Sequence, residues 1–298
     1  MYIEQVRTSS NTFMSYLLGS LVLVLFTLIG QIPLTQAIFQ YAQGPVDPSN
    51  ASELMNAIPS QLRLLLQMLP FAVLFLGMWF VNRFLHQLNF HQLVTSRRNV
   101  DWNRVLFSFW LWGGVTIILL LFECLMAPEE YVFNFKWRTF LPLLFLGTLL
   151  IPIQTSTEEL LFRGYLLQGF GVLFKNRWLP LILTSVLFGG LHYANPEVDQ
   201  FGLGIMFYYI GTGFFLGIIT LVDEGLELAL GFHAANNLFG ALLMSSEWSA
   251  FQTDAILIFT GQPVLWSEII ISLGLCYPIV FYLFYRKYHW KKISNKLL

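Results

Sequence analysis

Long apolar stretches alternate with short polar segments along this chain. A bilayer-crossing helix needs about 20 mostly apolar residues, and about eight stretches reach that length. They cover residues 13–40, 61–83, 105–126, 139–172, 179–195, 202–222, 227–245 and 267–286. The pattern therefore predicts an all-α fold, a polytopic membrane helix bundle of about eight transmembrane helices.

The composition supports a membrane location. Hydrophobic residues make up 56% of the chain and charged residues only 11%, whereas about a quarter of an average soluble domain is charged. This deficit excludes a soluble globule and a disordered chain. The net charge of −1 gives no reason to expect a nucleic-acid partner. The expected surroundings are a lipid bilayer, and the sequence predicts no oligomeric state.

Basic residues predict the orientation of the bundle. Most of them fall at the chain ends or in every second connection, among them Arg7, Arg97, Arg104, Lys175, Arg177, Arg286 and Lys287. The intervening connections carry few, namely Arg63, Lys136 and Arg138. Because cytoplasmic segments are enriched in Lys and Arg, both termini are predicted to be cytoplasmic. We expect an integral protein of a bacterial inner (cytoplasmic) membrane.

The fourth span contains charged residues at a predicted membrane depth. An ionisable group inside a span costs about 2.5–3.5 kcal/mol on insertion scales, so it usually faces a cavity or a partner. Glu159 and Arg163 are four residues apart and are expected to form an ion pair on one helix face. Glu158 is rotated by about 100° from Glu159 and is expected to point elsewhere, towards a cavity.

Two further polar clusters lie in later spans. His192 is predicted in the middle of the fifth span, one turn after Phe188, and the two glycines between them are expected to permit close helix approach. His233 and Asn237 are four residues apart on the seventh span, so they share a face that should look inward. We predict that Glu158, His192, His233 and Asn237 meet in one constellation.

These residue types suit the hydrolysis of an amide bond inside the membrane. Glu158 would be the base that deprotonates water, and His192 would orient that water. His233 and Asn237 would supply donors for the oxyanion that forms from a peptide carbonyl. Zinc is the alternative, with Glu158, His192 and His233 as ligands and a water in the fourth position, although no HExxH motif is present.

Three motifs in order resemble a known family. EExxxR spans Glu158–Arg163, FxxxH spans Phe188–His192 and HxxxN spans His233–Asn237. Together they resemble the CPBP intramembrane proteases, which include type II CAAX prenyl proteases and bacterial bacteriocin-processing or immunity proteins. The resemblance covers residues 139–245, the part that corresponds to the family's Abi domain.

The resemblance implies roles for individual residues. The catalytic set would be Glu158, His192, His233 and Asn237, with Glu159 and Arg163 in supporting positions. Family members have been described as metalloproteases and as metal-independent glutamate proteases, so zinc and a metal-free mechanism both stay open. Eukaryotic relatives remove the last three residues of a prenylated CAAX protein, whereas bacterial relatives act on other peptides or in self-protection. The expected partner is thus a membrane-associated peptide or protein substrate.

The predicted organisation has three parts. Residues 1–135 form N-terminal transmembrane helices, residues 136–250 form the catalytic core, and residues 251–298 form the last helix and a basic cytoplasmic tail. An alternative function is a non-catalytic membrane scaffold or a bacteriocin self-immunity protein on the same fold. A proton-relay transporter is ranked last, because no repeated halves are visible.

Overall fold

The fold is known from a computed structural model, which describes residues 2–6, 11–42, 51–291, 293 and 296. Arg7, which contributes to the predicted orientation, lies outside the described residues.

The helices in chain order are α1 (Phe13–Tyr41), α2 (Ala51–Asn56), α3 (Ser60–Phe80), α4 (His91–Val94), α5 (Trp102–Met126), α6 (Trp137–Glu159), α7 (Leu167–Phe174), α8 (Trp178–Leu191), α9 (Pro196–Phe201), α10 (Met206–Asp223), α11 (Glu227–Leu243), α12 (Leu265–Ile269) and α13 (Tyr277–Lys287). Continuous π-helical stretches extend α3 (Val81–Leu85), join α6 to α7 (Leu160–Leu166) and join α12 to α13 (Ile270–Cys276).

Six helical units of the described chain are long and apolar enough to cross a membrane. They are Phe13–Tyr41, Ser60–Leu85, Trp102–Met126, Trp137–Phe174, Pro196–Asp223 and Leu265–Lys287. Large apolar side chains on these units point outward, including Leu21, Ile118 and Phe145. A surface of this kind is stable against lipid rather than water, since helices satisfy their backbone hydrogen bonds internally. The chain is an integral membrane protein with an all-α membrane bundle.

The two remaining predicted spans form shorter helices. α8 has 14 residues and α11 has 17. At 1.5 Å per residue they reach about 21 Å and about 26 Å, less than the roughly 30 Å of a hydrocarbon core. Helix α8 is apolar but short, whereas α11 is both short and interrupted by the polar residues His233, Asn236 and Asn237. These two helices account for the difference between the six units and the eight spans that the hydropathy pattern predicts.

Helix α11 lies at the centre of the bundle and packs against α5, α6 and α10. Its close approach to α5 depends on Gly231, because a Cβ atom at this position would collide with the Val105 carbonyl oxygen. One residue further on, the Phe232 ring stacks on Trp112 of α5 with 4.3 Å between ring centroids. This central position buries α11 on several sides and directs its polar residues towards the other helices.

An ionic network joins the end of α10 to the starts of α5 and α11. Arg97 contacts Asp223 at 2.9 Å and Glu227 at 3.0 Å, and Arg104 contacts the other Asp223 oxygen. The Trp290 indole donates a hydrogen bond of 2.9 Å to Asp223. These contacts hold the short connection between α10 and α11 against the start of α5.

A small sheet, which the hydropathy pattern did not predict, lies before the start of α6 and after the end of α11. Strand β3 (Leu257–Phe259) pairs antiparallel with β1 (Tyr131–Phe133) and parallel with β2 (Met244–Ser245). The connection before α6 is thereby joined to the segment after α11. Three strands of two or three residues are too short to show the two-residue periodicity by which strands are recognised in a sequence.

Candidate active site

The acidic pair lies at the end of α6, where the helix changes its geometry. Pro152 is inside α6, and Glu159 is the last α-helical residue before the π-helical stretch Leu160–Leu166. Short π-helical segments occur frequently at functional sites, because the wider turn redirects side chains. Here the π-helical stretch carries Arg163 on the turn after Glu159.

The predicted ion pair between Glu159 and Arg163 is confirmed. Arg163 Nη1 donates a hydrogen bond of 2.8 Å to Glu159 Oε1, and both residues are fully buried. Arg163 Nη2 donates to the Gly213 carbonyl of α10 at 3.2 Å. The guanidinium group lies 4.2 Å from the centre of the Phe188 ring. Each of these contacts offsets part of the cost of burying a charge.

Glu159 also binds His233. His233 Nδ1 lies 2.7 Å from Glu159 Oε1, the same oxygen that Arg163 contacts. An ionised carboxylate only accepts hydrogen bonds, so Nδ1 carries the proton of the imidazole. The Nε2 atom of His233 then faces Glu158, with 3.6 Å to Oε2 of that carboxylate.

Glu158 makes no direct hydrogen bond among the described residues, whereas in Glu159 only Oε2 lacks a partner. The Glu158 side chain is 13% exposed, and its buried Oε2 atom has no hydrogen-bond partner among the described residues. The distance of 3.6 Å to His233 Nε2 is too long for a direct hydrogen bond. The two neighbouring acids thus have different contacts: Glu159 pairs with Arg163 and binds His233, whereas Glu158 makes no direct hydrogen bond.

The prediction that His192 lies in the middle of a helix is wrong. Helix α8 ends at Leu191, and His192 is its C-cap residue, with φ −87° and ψ 1°. Asn195 and Pro196 follow within one turn, and a residue before proline is disfavoured in the α-helical region. The chain therefore leaves the helix here, and His192 lies at the helix end opposite to the basic connection before α8.

Contacts on three sides hold the His192 ring. Its Nδ1 atom donates a hydrogen bond of 2.7 Å to the Phe188 carbonyl, which can only accept, so Nε2 is free to face the site. The Tyr209 ring of α10 stacks on the imidazole, with centroids 4.5 Å apart and 28° between the ring planes. The Phe188 ring lies beside the imidazole, with centroids 4.7 Å apart.

The two glycines before His192 do not act alike. A Cβ atom at Gly189 would collide with Ile210 of α10, so this glycine permits the close approach that the sequence predicts. A Cβ atom at Gly190 would meet no atom within 4 Å. The packing argument thus applies to the first glycine only.

Phe188 connects the histidines with the buried ion pair. Its ring centroid lies 4.7 Å from that of His192 and 5.9 Å from that of His233. The same ring lies under the Arg163 guanidinium at 4.2 Å. The aromatic residue of the FxxxH motif therefore sets the spacing between three functional side chains.

Asn237 lies one helical turn after His233 on α11, as predicted. Its Nδ2 atom donates a hydrogen bond of 3.1 Å to Oε1 of Gln154, which is 4% exposed. Sequence reasoning missed Gln154, although its position four residues before Glu158 places both on one face of α6. It also missed Tyr209, which lies in an aromatic run without a distinguishing signal.

The zinc alternative finds partial support in these residues. Glu158, His192 and His233 have the right donor chemistry, and each Nδ1 atom is anchored by an oxygen acceptor, as is usual for histidine ligands. Across the described ranges, however, no three His, Cys, Asp or Glu side chains are grouped closely enough to hold a metal ion.

Comparisons with known proteins show the family of this chain. Residues 137–239, which include every residue of the constellation, match the family described as type II CAAX prenyl endopeptidase Rce1-like. A similar protein from Bacillus subtilis (strain 168), named "Uncharacterized protein YyaK", is 32% identical over 278 residues, which cover 85% of this chain and 91% of the relative. No solved structure matches the chain. The chain belongs to the Rce1-like family of type II CAAX prenyl endopeptidases, which are intramembrane proteases.

Proposed function

We propose that this protein is an intramembrane endopeptidase that hydrolyses a peptide bond in a membrane-associated substrate. The observation that carries the proposal is the contrast between the two acids. Glu159 is hydrogen-bonded through Oε1 to both Arg163 and His233, whereas Glu158 makes no direct hydrogen bond among the described residues and lies 3.6 Å from His233 Nε2. A structural role needs only one acid, so the second is best explained by chemistry.

The reaction begins with the activation of water. The Glu158 carboxylate takes one proton from a water molecule, and the unprotonated Nε2 of His192 accepts a hydrogen bond from the other O–H group. The water oxygen then forms a bond to the carbonyl carbon of the substrate, and the carbonyl oxygen becomes an oxyanion. When the C–N bond breaks, the proton held by Glu158 passes to the leaving nitrogen, which regenerates the carboxylate.

Stabilisation of the oxyanion is assigned to His233 and Asn237. Because His233 Nδ1 donates to Glu159, its Nε2 atom can donate only when the ring is protonated. The protonated form balances charge, since Glu158 and Glu159 then face two cations, Arg163 and His233. Asn237 has a second N–H besides the one that binds Gln154. Removal of one such donor typically costs a factor of about 10²–10³ in kcat.

We also propose that α8 and α11 cross the bilayer inside the bundle, which gives eight spans with both termini on the cytoplasmic side. The basic residues near the inner ends support this orientation, and a bacterial relative supports a cytoplasmic membrane. Single cysteines at Asn176 and at Glu129 test it in intact cells. A membrane-impermeant thiol reagent should label the second position but not the first, and labelling of the first alone would reverse the topology.

The substrate is proposed to be CAAX-like because of the family, and the matched range falls within the proposed core of residues 136–250. The test uses purified protein in detergent with a prenylated CAAX peptide, the same peptide without its prenyl group and an unrelated transmembrane peptide. Products are identified by mass spectrometry. Cleavage of the prenylated peptide alone would support a CAAX-type substrate, and cleavage of the transmembrane peptide would indicate another class.

The decisive variant in this assay is Glu158→Gln, which keeps the shape of the side chain and removes the base. We expect it to lose cleavage, whereas the exposed Glu129→Gln control keeps it. Cleavage that persists in Glu158→Gln would exclude the proposed base. A zinc chelator is added in parallel, and loss of activity with the chelator would favour the metalloprotease alternative. A folded protein that cleaves none of the peptides would favour the immunity or scaffold alternative.

A further inference from the structure

A chain of three hydrogen bonds runs from the core of the bundle to the proposed oxyanion site. Trp112 Nε1 on α5 donates to Asn236 Oδ1, Asn236 Nδ2 donates to Asn237 Oδ1, and Asn237 Nδ2 donates to Gln154 Oε1. Each of the three bonds measures 3.1 Å. Trp112 and Gln154 lie outside the three motifs that define the site, and Asn236 occupies one of the unspecified positions of HxxxN.

Trp112, the first donor, sets the direction of this series of hydrogen bonds. An asparagine amide has an oxygen and a nitrogen of nearly equal size, so either orientation fits its space. The Trp112 indole N–H can only donate, which requires Asn236 to turn its oxygen towards the tryptophan. The nitrogen of Asn236 then faces Asn237, and Asn237 must present its own oxygen in return.

The orientation of Asn236 also determines the orientation of the Asn237 amide on α11. With its oxygen bound by Asn236, Asn237 directs its amide N–H groups towards α6, where one of them meets Gln154. The other N–H group is left to act on a substrate oxyanion. In the flipped orientation the Asn237 oxygen would face the developing negative charge and repel it.

We propose that Trp112, acting through Asn236, is a positioning residue that fixes the amide orientation of the oxyanion donor Asn237. The kinetic part of this inference rests on the proposed hydrolysis, whereas the orientation itself does not. Trp112 is 4% exposed and has packing contacts with Phe232 and Tyr277, so a purely structural role must be separated from the polar one.

The variant that separates the two roles is Trp112→Phe, which keeps an aromatic ring between its neighbours and removes the donor together with part of the ring system. Trp110→Phe is the matched control, since Trp110 lies on the same helix and is 65% exposed. Thermal unfolding in detergent should give one cooperative transition for both variants, at a lower midpoint for Trp112→Phe because the smaller ring fills less of the buried site. A retained cooperative transition shows that later differences do not come from a collapsed core.

The orientation is measured without any substrate. In protein labelled with ¹⁵N-asparagine, the side-chain resonances of residue 237 are identified by their disappearance in Asn237→Ala. We expect Trp112→Phe to shift these resonances or to split them into two sets, because both amide orientations become populated. Trp110→Phe should leave them unchanged. Unchanged resonances in Trp112→Phe would overturn the proposal whatever the activity of the protein.

Kinetics then test the consequence for catalysis. With a peptide that the wild type cleaves, Trp112→Phe should lower kcat by about tenfold and leave KM within about twofold, as expected for a transition-state interaction. In the double variant with Asn237→Ala the two losses should not multiply, because both act on one donor. Multiplying losses would overturn the positioning role. Glu158→Gln is measured alongside, since its retained cleavage would contradict the proposed hydrolysis but not the amide orientation.

Discussion

Glu159 Oε1 accepts a hydrogen bond of 2.7 Å from His233 Nδ1. The same oxygen lies 2.8 Å from Arg163 Nη1, so one buried atom joins α11 to the π-helical stretch after α6. This contact fixes which nitrogen of His233 carries a proton and which one faces Glu158. It also distinguishes two adjacent acids that are chemically identical in the sequence.

The two acids should respond differently to substitution. Glu159→Gln leaves Arg163 buried without its counter-charge, and breaking a buried ion pair in this way typically costs about 3–5 kcal/mol. Glu158→Gln removes a charge that has no direct hydrogen bond, so its effect on stability should be much smaller. Unfolding in detergent at matched temperatures measures both. Equal destabilisation by the two variants would contradict the assignment of Glu159 as the structural acid.

Phe188 should be required for activity rather than only for packing. Phe188→Leu keeps an apolar side chain but removes the ring that lies under Arg163 and contacts both histidines. We expect about a tenfold loss of kcat, equivalent to about 1.4 kcal/mol of lost positioning. The lipid-facing Phe145→Leu is the control and should cleave at the wild-type rate. A Phe188→Leu enzyme of full activity would disprove the requirement.

Tyr209 should act on His192 through its ring. Tyr209→Phe preserves the stacked geometry and should keep most of the activity. Tyr209→Leu removes the stacking and leaves the imidazole held only by Phe188, so kcat should fall several-fold. Comparison of the two variants by initial rates is the measurement. If the Phe variant loses as much activity as the Leu variant, the hydroxyl rather than the ring is the functional group.

His86 should make stability depend on pH. It is buried, it is hydrogen-bonded between Asn11 and Tyr165, and burial lowers its pKa to about 4. The unfolded state, with a pKa near 6.5, binds more protons between these values, so stability is full above about pH 6.5 and falls as the pH drops towards 4. Thermal unfolding of wild type and His86→Gln across this range tests the effect. A parallel decline in both proteins would assign it to other groups.

Much of the site follows from spacing along single helices. The pairing of Glu159 with Arg163 and the shared face of His233 and Asn237 depend only on the four-residue repeat of a helix. The same repeat would have identified Gln154 one turn before Glu158. Tyr209 could not be found in this way, because it reaches His192 from another helix and nothing in its aromatic neighbourhood distinguishes it.

Composition and hydropathy by themselves determined that this chain is a membrane-embedded helical bundle, because the cost of placing polar groups in lipid acts on every residue of a span. The three motifs determined which side chains are candidates for catalysis. Only the tertiary structure decided that Gly189 rather than Gly190 touches α10, and that Glu159 rather than Glu158 binds His233 Nδ1. The reason is physical: these outcomes depend on contacts between helices that are distant in sequence, whereas helical periodicity describes only the neighbours within one turn.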